Sequence, residues 1–478
     1  MDQQQGIPAE QINQLVNKHF QDALPKFIEI LKIPSQSRLF DPEYLTNGLL
    51  MKTAQEFRDY VLASNLKNAK VELLQDEGYS PFLFVEVDGS DGQTDGTVLF
   101  YGHMDKQPPF NGWKEGLGAY EPKIVDDKLY ARGGADDHYS IFGAVIAVRT
   151  LQELGLKHPR IVMTFEADEE SGSAHIDHYL AKLKEKIGAV DLVVCLDSGC
   201  GNYEQLWITT TLRGMVGACV TVQVLDEGVH SGDASGVVPS SFRIQRLLLD
   251  RIDNPNTGEV VEDFQVNIPG ERYLQAQKAA EVLGKTTLTK FPFYGSTQPT
   301  TQDYFKAYLN RIWKAQLSVV GADGLPPAKT AGNVLRPETT LKYSLRLPPT
   351  KNPKEAEAAF VKLLTTNVPY NATVKITGLG SGSGFNAPQN QPYLDQLIQN
   401  ASQLFFKKDA QTLGEGGSIP LMNTLKEQYP TAQFIVTGVL GPNSNAHGPN
   451  EFMHIPFTKS LISCITYIVT GLQVHLKK

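Results

Sequence analysis

Short runs of β-branched, almost wholly apolar residues restrict this chain more than any other feature: Thr97-Val98-Leu99-Phe100-Tyr101, Ile161-Val162-Met163-Thr164-Phe165, Leu192-Val193-Val194-Cys195-Leu196 and Phe434-Ile435-Val436-Thr437. A strand with one face in water alternates apolar and polar residues. A strand apolar on both faces has to be covered on both, which is the situation of a parallel sheet flanked by helices. Helical spacing fills the intervals. Leu15, Phe20, Leu24, Phe27, Ile28 and Leu31 recur along one face of 11–33 until Pro34 closes the pattern, and 140–154 and 456–476 read the same way. The alternation predicts an α/β fold with a doubly wound, mainly parallel sheet.

Between about 213 and 384 the texture changes. Segments 215–225, 339–347 and 372–378 alternate as antiparallel strands do, with Pro-rich irregular stretches between them. The strand-like 434–437 then needs the earlier sheet to be buried, so the middle is read as an insertion: a catalytic domain over 1–212 and 385–478, and an inserted α+β lid or dimerisation domain over 213–384. The tract Gly380-Ser381-Gly382-Ser383-Gly384 reads as a hinge or linker.

Composition narrows the function. The 478 residues carry 44 Lys and Arg against 52 Asp and Glu, a net charge of −8, with no dense basic run, so nucleic acid is not an expected partner. Four cysteines are too few for a disulfide scaffold in a chain of this length and fit a reducing compartment. The N-terminal residues have neither a basic segment nor an apolar one after it, and no run approaches a membrane span in unbroken apolarity; the expectation is a cytoplasmic protein with no membrane partner. A serine hydrolase would need G-x-S-x-G, which does not occur.

In open α/β sheets ligands bind beyond the carboxyl ends of the strands. His103 and Asp105 follow the first apolar run, Glu169 and Glu170 the second, Asp197 the third and His447 the fourth, while Asp136 opens the helical segment at 140. Taken singly each is an ordinary turn or capping residue. Together they form a set of two imidazoles and several carboxylates without a thiolate, which suits Zn²⁺, Mn²⁺ or Co²⁺ rather than a structural zinc. This is the ligand count of a two-metal hydrolase, with Asp136 as the natural bridge.

Five segments carry a resemblance along nearly the whole chain: Tyr101-Gly102-His103-Met104-Asp105 with Gln107-Pro108-Pro109 and Trp113, Leu129 to Asp137, Phe165 to Ser173, Gly414 to Pro420, and Ala446-His447. They are similar to motifs of the co-catalytic dinuclear metallopeptidase family of carnosinase, aminoacylase, carboxypeptidase G and succinyl-diaminopimelate desuccinylase, and most similar to its carnosinase-like dipeptidase branch. The resemblance implies two divalent ions per subunit, with zinc favoured over manganese or cobalt. His103, Asp136 and Asp197 would hold one, and Asp136, Glu170 and His447 the other. Asp105 would orient His103, and Glu169 would be the general base.

In the inserted domain, Leu212-Arg213-Gly214 and Val229-His230-Ser231-Gly232 resemble the lid entry, where the His stabilises the oxyanion in the partner subunit's site; a homodimer is implied. Arg346, in Tyr343 to Pro348, would grip the free carboxylate of a small peptide substrate, with Ser418 and Gly417 donating to the same group. The family often has Arg where Gly414 stands and Lys where His138 stands. His138, His175 and His178 match no metal position and are read as structural. The expected function is hydrolysis of an amide bond in dipeptides or small peptides with a free C-terminal carboxylate. An N-acyl amino acid deacylase or exocarboxypeptidase is the alternative within the class. A scaffold protein on the same fold is the alternative outside it, and that reading would show an eroded ligand set, whereas no expected ligand is missing.

Overall fold

The computed structural model describes residues 6–92 and 96–476. The chain divides into two compact units: 1–209 with 387–413 and 424–478, and 210–386 with 414–423.

The first unit is built on a six-stranded sheet in the order Ala69–Leu74, Phe82–Val87, Arg160–Glu166, Thr97–His103, Leu192–Cys195, Gln433–Val436. The last four run parallel to one another, and Phe82–Val87 pairs antiparallel with both of its neighbours. All four apolar runs are strands of this sheet, and every residue of Thr97–His103 is buried. Helix Tyr139–Glu153 packs on that strand, and helices Ala9–Leu31, Pro392–Phe406 and Ile455–Leu476 pack with it in one layer. Ile455–Leu476 is apolar and long enough to cross a bilayer by composition, but 83% of its apolar window is buried inside the protein, as expected of a core helix. A small antiparallel sheet, Lys123–Val125, Lys128–Tyr130 and Phe452–His454, joins the chain before Asp136 to the chain after His447.

The second unit has a four-stranded antiparallel sheet in the order Gln316–Asp323, Glu338–Leu347, Gly214–Gln223, Thr373–Gly382. Gly214–Gln223 buries alternate residues, and Val216, Ala218, Val220 and Val222 meet Ile244 and Leu248 of helix Ser241–Leu249 and Phe360 and Leu364 of helix Pro353–Thr365. The Gly380 to Gly384 tract is not the free hinge its composition predicted. Gly380, Ser381 and Gly382 pair with Gly217, Val216 and Met215. Glycines are needed at this crossing because a Cβ on Gly214 would lie 2.7 Å from the Gly382 carbonyl oxygen and 2.8 Å from the Gly384 nitrogen.

Candidate metal centre

The ligand-type residues cluster beyond the carboxyl ends of the parallel strands. His103 ends its strand, Glu169 and Glu170 open the short turn Glu169–Ser171, and Asp197 follows Leu192–Cys195. The His103 strand can carry no side chain at Gly102: a Cβ there would stand 2.1 Å from Ser140 Oγ and 2.6 Å from Asp137 Oδ2. Glycine thus lets the 134–140 backbone press against the sheet, bringing Asp136 to the strand ends.

Asp136 stands between the two imidazoles. Its Oδ1 is 3.2 Å from His103 Nε2 and its Oδ2 is 3.1 Å from His447 Nε2. On the first side Asp197 Oδ1 is 3.7 Å from His103 Nε2, and on the second Glu170 Oε2 is 3.2 Å from His447 Nε2. One carboxylate therefore faces two imidazole–carboxylate pairs, the layout a bridging ligand needs. His103, Asp136 and Glu170 offer ligand atoms within 4.8 Å of one another, and so do His103, Asp137 and Asp197. Asp137 was not among the expected residues. One of its oxygens accepts the His103 backbone N–H at 3.2 Å, while its buried Oδ1 has no partner. The donors are hard oxygens and neutral-capable imidazoles in a crowded site, which fits divalent ions of the zinc and manganese kind.

The electrostatics are those of crowded carboxylates. Burial, then the charge of Asp197, pushes Glu169 well above the usual carboxyl range. Burial and Asp136 push Glu170 up to about 7, and burial pushes Asp197 up to about 6 against the opposing pull of His103. The His447 side chain is 56% exposed, with its Nε2 turned to the carboxylates; desolvation there disfavours the imidazolium, but hydrogen bonds to Asp136 and Glu170 outweigh it and raise the imidazole to about 11. Asp136 is also opposed by burial, and its bonds from His103 and His447 hold it well below the normal range.

Asp105, fully buried, does more than orient an imidazole. Its Oδ1 lies 3.3 Å from His103 Nδ1 and accepts the Glu169 backbone N–H at 3.2 Å, and its Oδ2 accepts the Glu170 N–H at 3.1 Å. It thereby fixes His103 and the turn bearing both glutamates. Gln107 Nε2 donates to Glu170 Oε2 at 2.7 Å, an orienting contact that no sequence signal announced.

In the second unit Arg346, half-buried, donates from Nη1 to Ser418 Oγ at 3.2 Å. The Ser418 hydroxyl bonds to the Arg213 carbonyl, and the Gly417 carbonyl accepts the Arg213 N–H at 3.0 Å, so Arg346, Ser418 and Gly417 are held together. Gly414, where an arginine was the family expectation, has no room for one: a Cβ would lie 2.5 Å from Ile312 Cδ1 and 2.9 Å from Thr211 Oγ1. His230 is exposed on the two-residue strand Val229–His230, paired with Val334–Leu335. The three histidines read as structural have structural partners. His138 bonds to the Met104 carbonyl at 2.7 Å, His175 lies 3.0 Å from Asp168 and His178 2.7 Å from Asp76.

A mainly parallel α/β sheet here presents two imidazole–carboxylate pairs around a shared aspartate, a donor set that could hold divalent ions as hydrolases do. The chain matches the peptidase family M20/M25/M40 over residues 99–471 and belongs to it. It is similar to a cysteinylglycine-S-conjugate dipeptidase of Corynebacterium striatum, 24% identical over 76% of this chain and 80% of the relative. It is also similar to the Beta-Ala-His dipeptidase of Homo sapiens, 26% identical over 79% of this chain and 76% of the relative. Its fold matches the crystal structure of human carnosine dipeptidase 1 with a TM-score of 0.77 at 20% identity, covering 98% of this chain and 99% of that one.

Proposed function

We propose that this protein is a metal-dependent dipeptidase that hydrolyses the amide bond of dipeptides or small peptides with a free C-terminal carboxylate. The observation that carries the reading is Asp136 with one oxygen on His103 and the other on His447. The dipeptidase names of the two relatives support the substrate class. His103, Asp136 and Asp197 would hold one ion and Asp136, Glu170 and His447 the other, zinc being preferred for a set of imidazoles and carboxylates. Two such ions supply an acidified water and a polarised carbonyl.

The protein's own groups handle the protons. Glu169, half-buried and anchored through its N–H to Asp105, takes the proton of the attacking water and returns it to the leaving amine. Its raised affinity for a proton suits that double duty. Arg346 grips the substrate carboxylate with a planar guanidinium, assisted by Ser418 and Gly417. His230, on the domain 213–384, serves the site of the partner subunit in a homodimer. Four free cysteines, three of them buried, fit a reducing, cytoplasmic setting.

The test is release of free amino acids from a panel of dipeptides and N-acyl amino acids by chelator-stripped protein, with and without Zn²⁺, Mn²⁺ or Co²⁺. Metal-restored cleavage of dipeptides is expected. Glu169→Gln should keep its metal and lose about 10²- to 10⁴-fold in turnover. Cleavage of acylated amino acids alone would move the enzyme to the deacylases, and full turnover in Glu169→Gln would remove the assigned base.

A further inference from the structure

Two loops that bear candidate ligands are joined by a buried ion pair between Arg132, inside the 129–137 motif, and Glu451, outside every motif. Arg132 is 1% exposed and Glu451 fully buried. Arg132 Nη1 donates to Glu451 Oε2 at 2.6 Å, Nη2 donates to the carbonyl of Gly448, next to His447, at 2.7 Å, and Nε donates to the carbonyl of Pro108 at 3.1 Å, on the stretch leading from His103 and Asp105. One planar fork thus ties together the chain on either side of the site. Glu451 completes the arrangement from the other end. Its Oε2 also accepts the Gly133 N–H at 3.2 Å, and its Oε1 accepts the N–H groups of Ala135 at 3.1 Å and of Asp136 itself at 3.2 Å. The pairing of Phe452–His454 with Lys128–Tyr130 continues to Glu451, whose carbonyl accepts the N–H of Ala131, the neighbour of Arg132, at 3.2 Å.

A buried ion pair is a poor device for stability alone, because desolvating both charges costs about what their attraction returns, and an apolar pair of similar volume commonly does as well. An apolar pair could not accept the Asp136 N–H or hold the Gly448 carbonyl. We propose that Arg132 and Glu451 are positioning residues that set the placement of Asp136 relative to His447, and with it the spacing at which the site takes its two ions. The inference rests on the reading of Asp136 and His447 as ligands, but not on dipeptide hydrolysis.

The experiment is titration of the full-length, chelator-stripped protein with Zn²⁺, and with Co²⁺ followed by its visible absorption, alongside the melting temperature of the stripped protein. Glu451→Gln offers one acceptor oxygen where four N–H groups converge, so its amide faces two of them with N–H₂. Metal affinity should fall about 10- to 100-fold, as when a residue supporting a ligand is lost. Arg132→Lys can still pair with Glu451 but lacks the fork for Gly448 and Pro108. It should melt as the wild type does when stripped, yet bind the second equivalent more weakly and with an altered cobalt spectrum. Two equivalents bound by Arg132→Lys with wild-type affinity and spectrum would overturn the proposal, whether or not Glu451→Gln folds. So would variants that lower the melting temperature of the stripped protein but bind metal normally once folded. Wild-type protein that binds two ions yet cleaves no dipeptide would end the functional reading and leave this one standing.

Discussion

Asp105 offers the sharpest test of how the centre is held. Two backbone donors bind its side-chain oxygens, the Glu169 N–H at 3.2 Å on Oδ1 and the Glu170 N–H at 3.1 Å on Oδ2, while His103 Nδ1 lies 3.1 Å from the Asp105 backbone carbonyl and 3.3 Å from Oδ1. Asp105→Asn keeps the shape but has one acceptor oxygen. Turned one way, its N–H₂ opposes Glu170; turned the other, it opposes both Glu169 and His103. Either way one backbone hydrogen bond to a charged acceptor is forfeited, about 1.5–3 kcal/mol. At about 1.4 kcal/mol per decade that is roughly a ten- to hundredfold effect. The loss falls on the turn carrying Glu169 and Glu170, so it should appear in kcat and in the affinity for the ion on the Glu170 side, with KM little changed. Steady-state kinetics at saturating metal, with a chelator-competition titration, read both. Wild-type kcat and metal affinity in Asp105→Asn would refute the view that this carboxylate holds the turn.

Other consequences can be checked as directly. Arg346→Met should raise KM for a free dipeptide by roughly 10- to 100-fold, the worth of a charge-assisted hydrogen bond, and leave an amidated dipeptide unaffected; an equal effect on both substrates in steady-state assays would refute the carboxylate grip. Gly102→Ala forces a methyl to 2.1 Å from Ser140 Oγ and should cost about 1–3 kcal/mol, read as a lower melting temperature of the metal-free protein. His158 is 2% exposed, and burial lowers its pKa below 6.5. Above that value folded and unfolded states are both neutral. Below it the unfolded chain takes a proton that the folded chain refuses, so stability falls with pH by up to about 1.4 kcal/mol per unit until the lowered folded value is reached. Urea unfolding between pH 7 and about 5 should show a shallower decline in His158→Asn than in the wild type.

The parts legible in the sequence were those written in one stretch of chain. Residues of ligand type stand close behind three of the four apolar runs, so Thr97 to Tyr101 announces both a buried strand and the place of His103, and Leu192 to Leu196 the place of Asp197. What escaped depends on chain approaching chain. Glu451 and Arg132 lie far apart along the sequence, and neither stands in a periodic pattern; their meeting is a product of the small sheet that pairs Phe452–His454 with Lys128–Tyr130. Asp105 was legible as a partner for His103, two residues away, but not as an acceptor for the N–H groups of Glu169 and Glu170. The glycines misled for a related reason. Gly380 to Gly384 has the composition of a linker, yet glycine there serves close packing of backbones, and only the neighbouring strand reveals it.

The first unit is assembled from separated stretches of chain, and its sheet closes on Gln433–Val436, with His447 and the core helix Ile455–Leu476 following. Helix Ala9–Leu31 packs on Ile455–Leu476, so its apolar face is covered only by a segment synthesised long after it. Residues 210–386 of the second unit are synthesised in the interval. Domains that fold as the chain emerges mature from the N-terminal side; here most of the second unit is made before the sheet of the first can close. If His447 holds a metal as proposed, a growing chain cannot hydrolyse peptides until the segment bearing it has been made and seated.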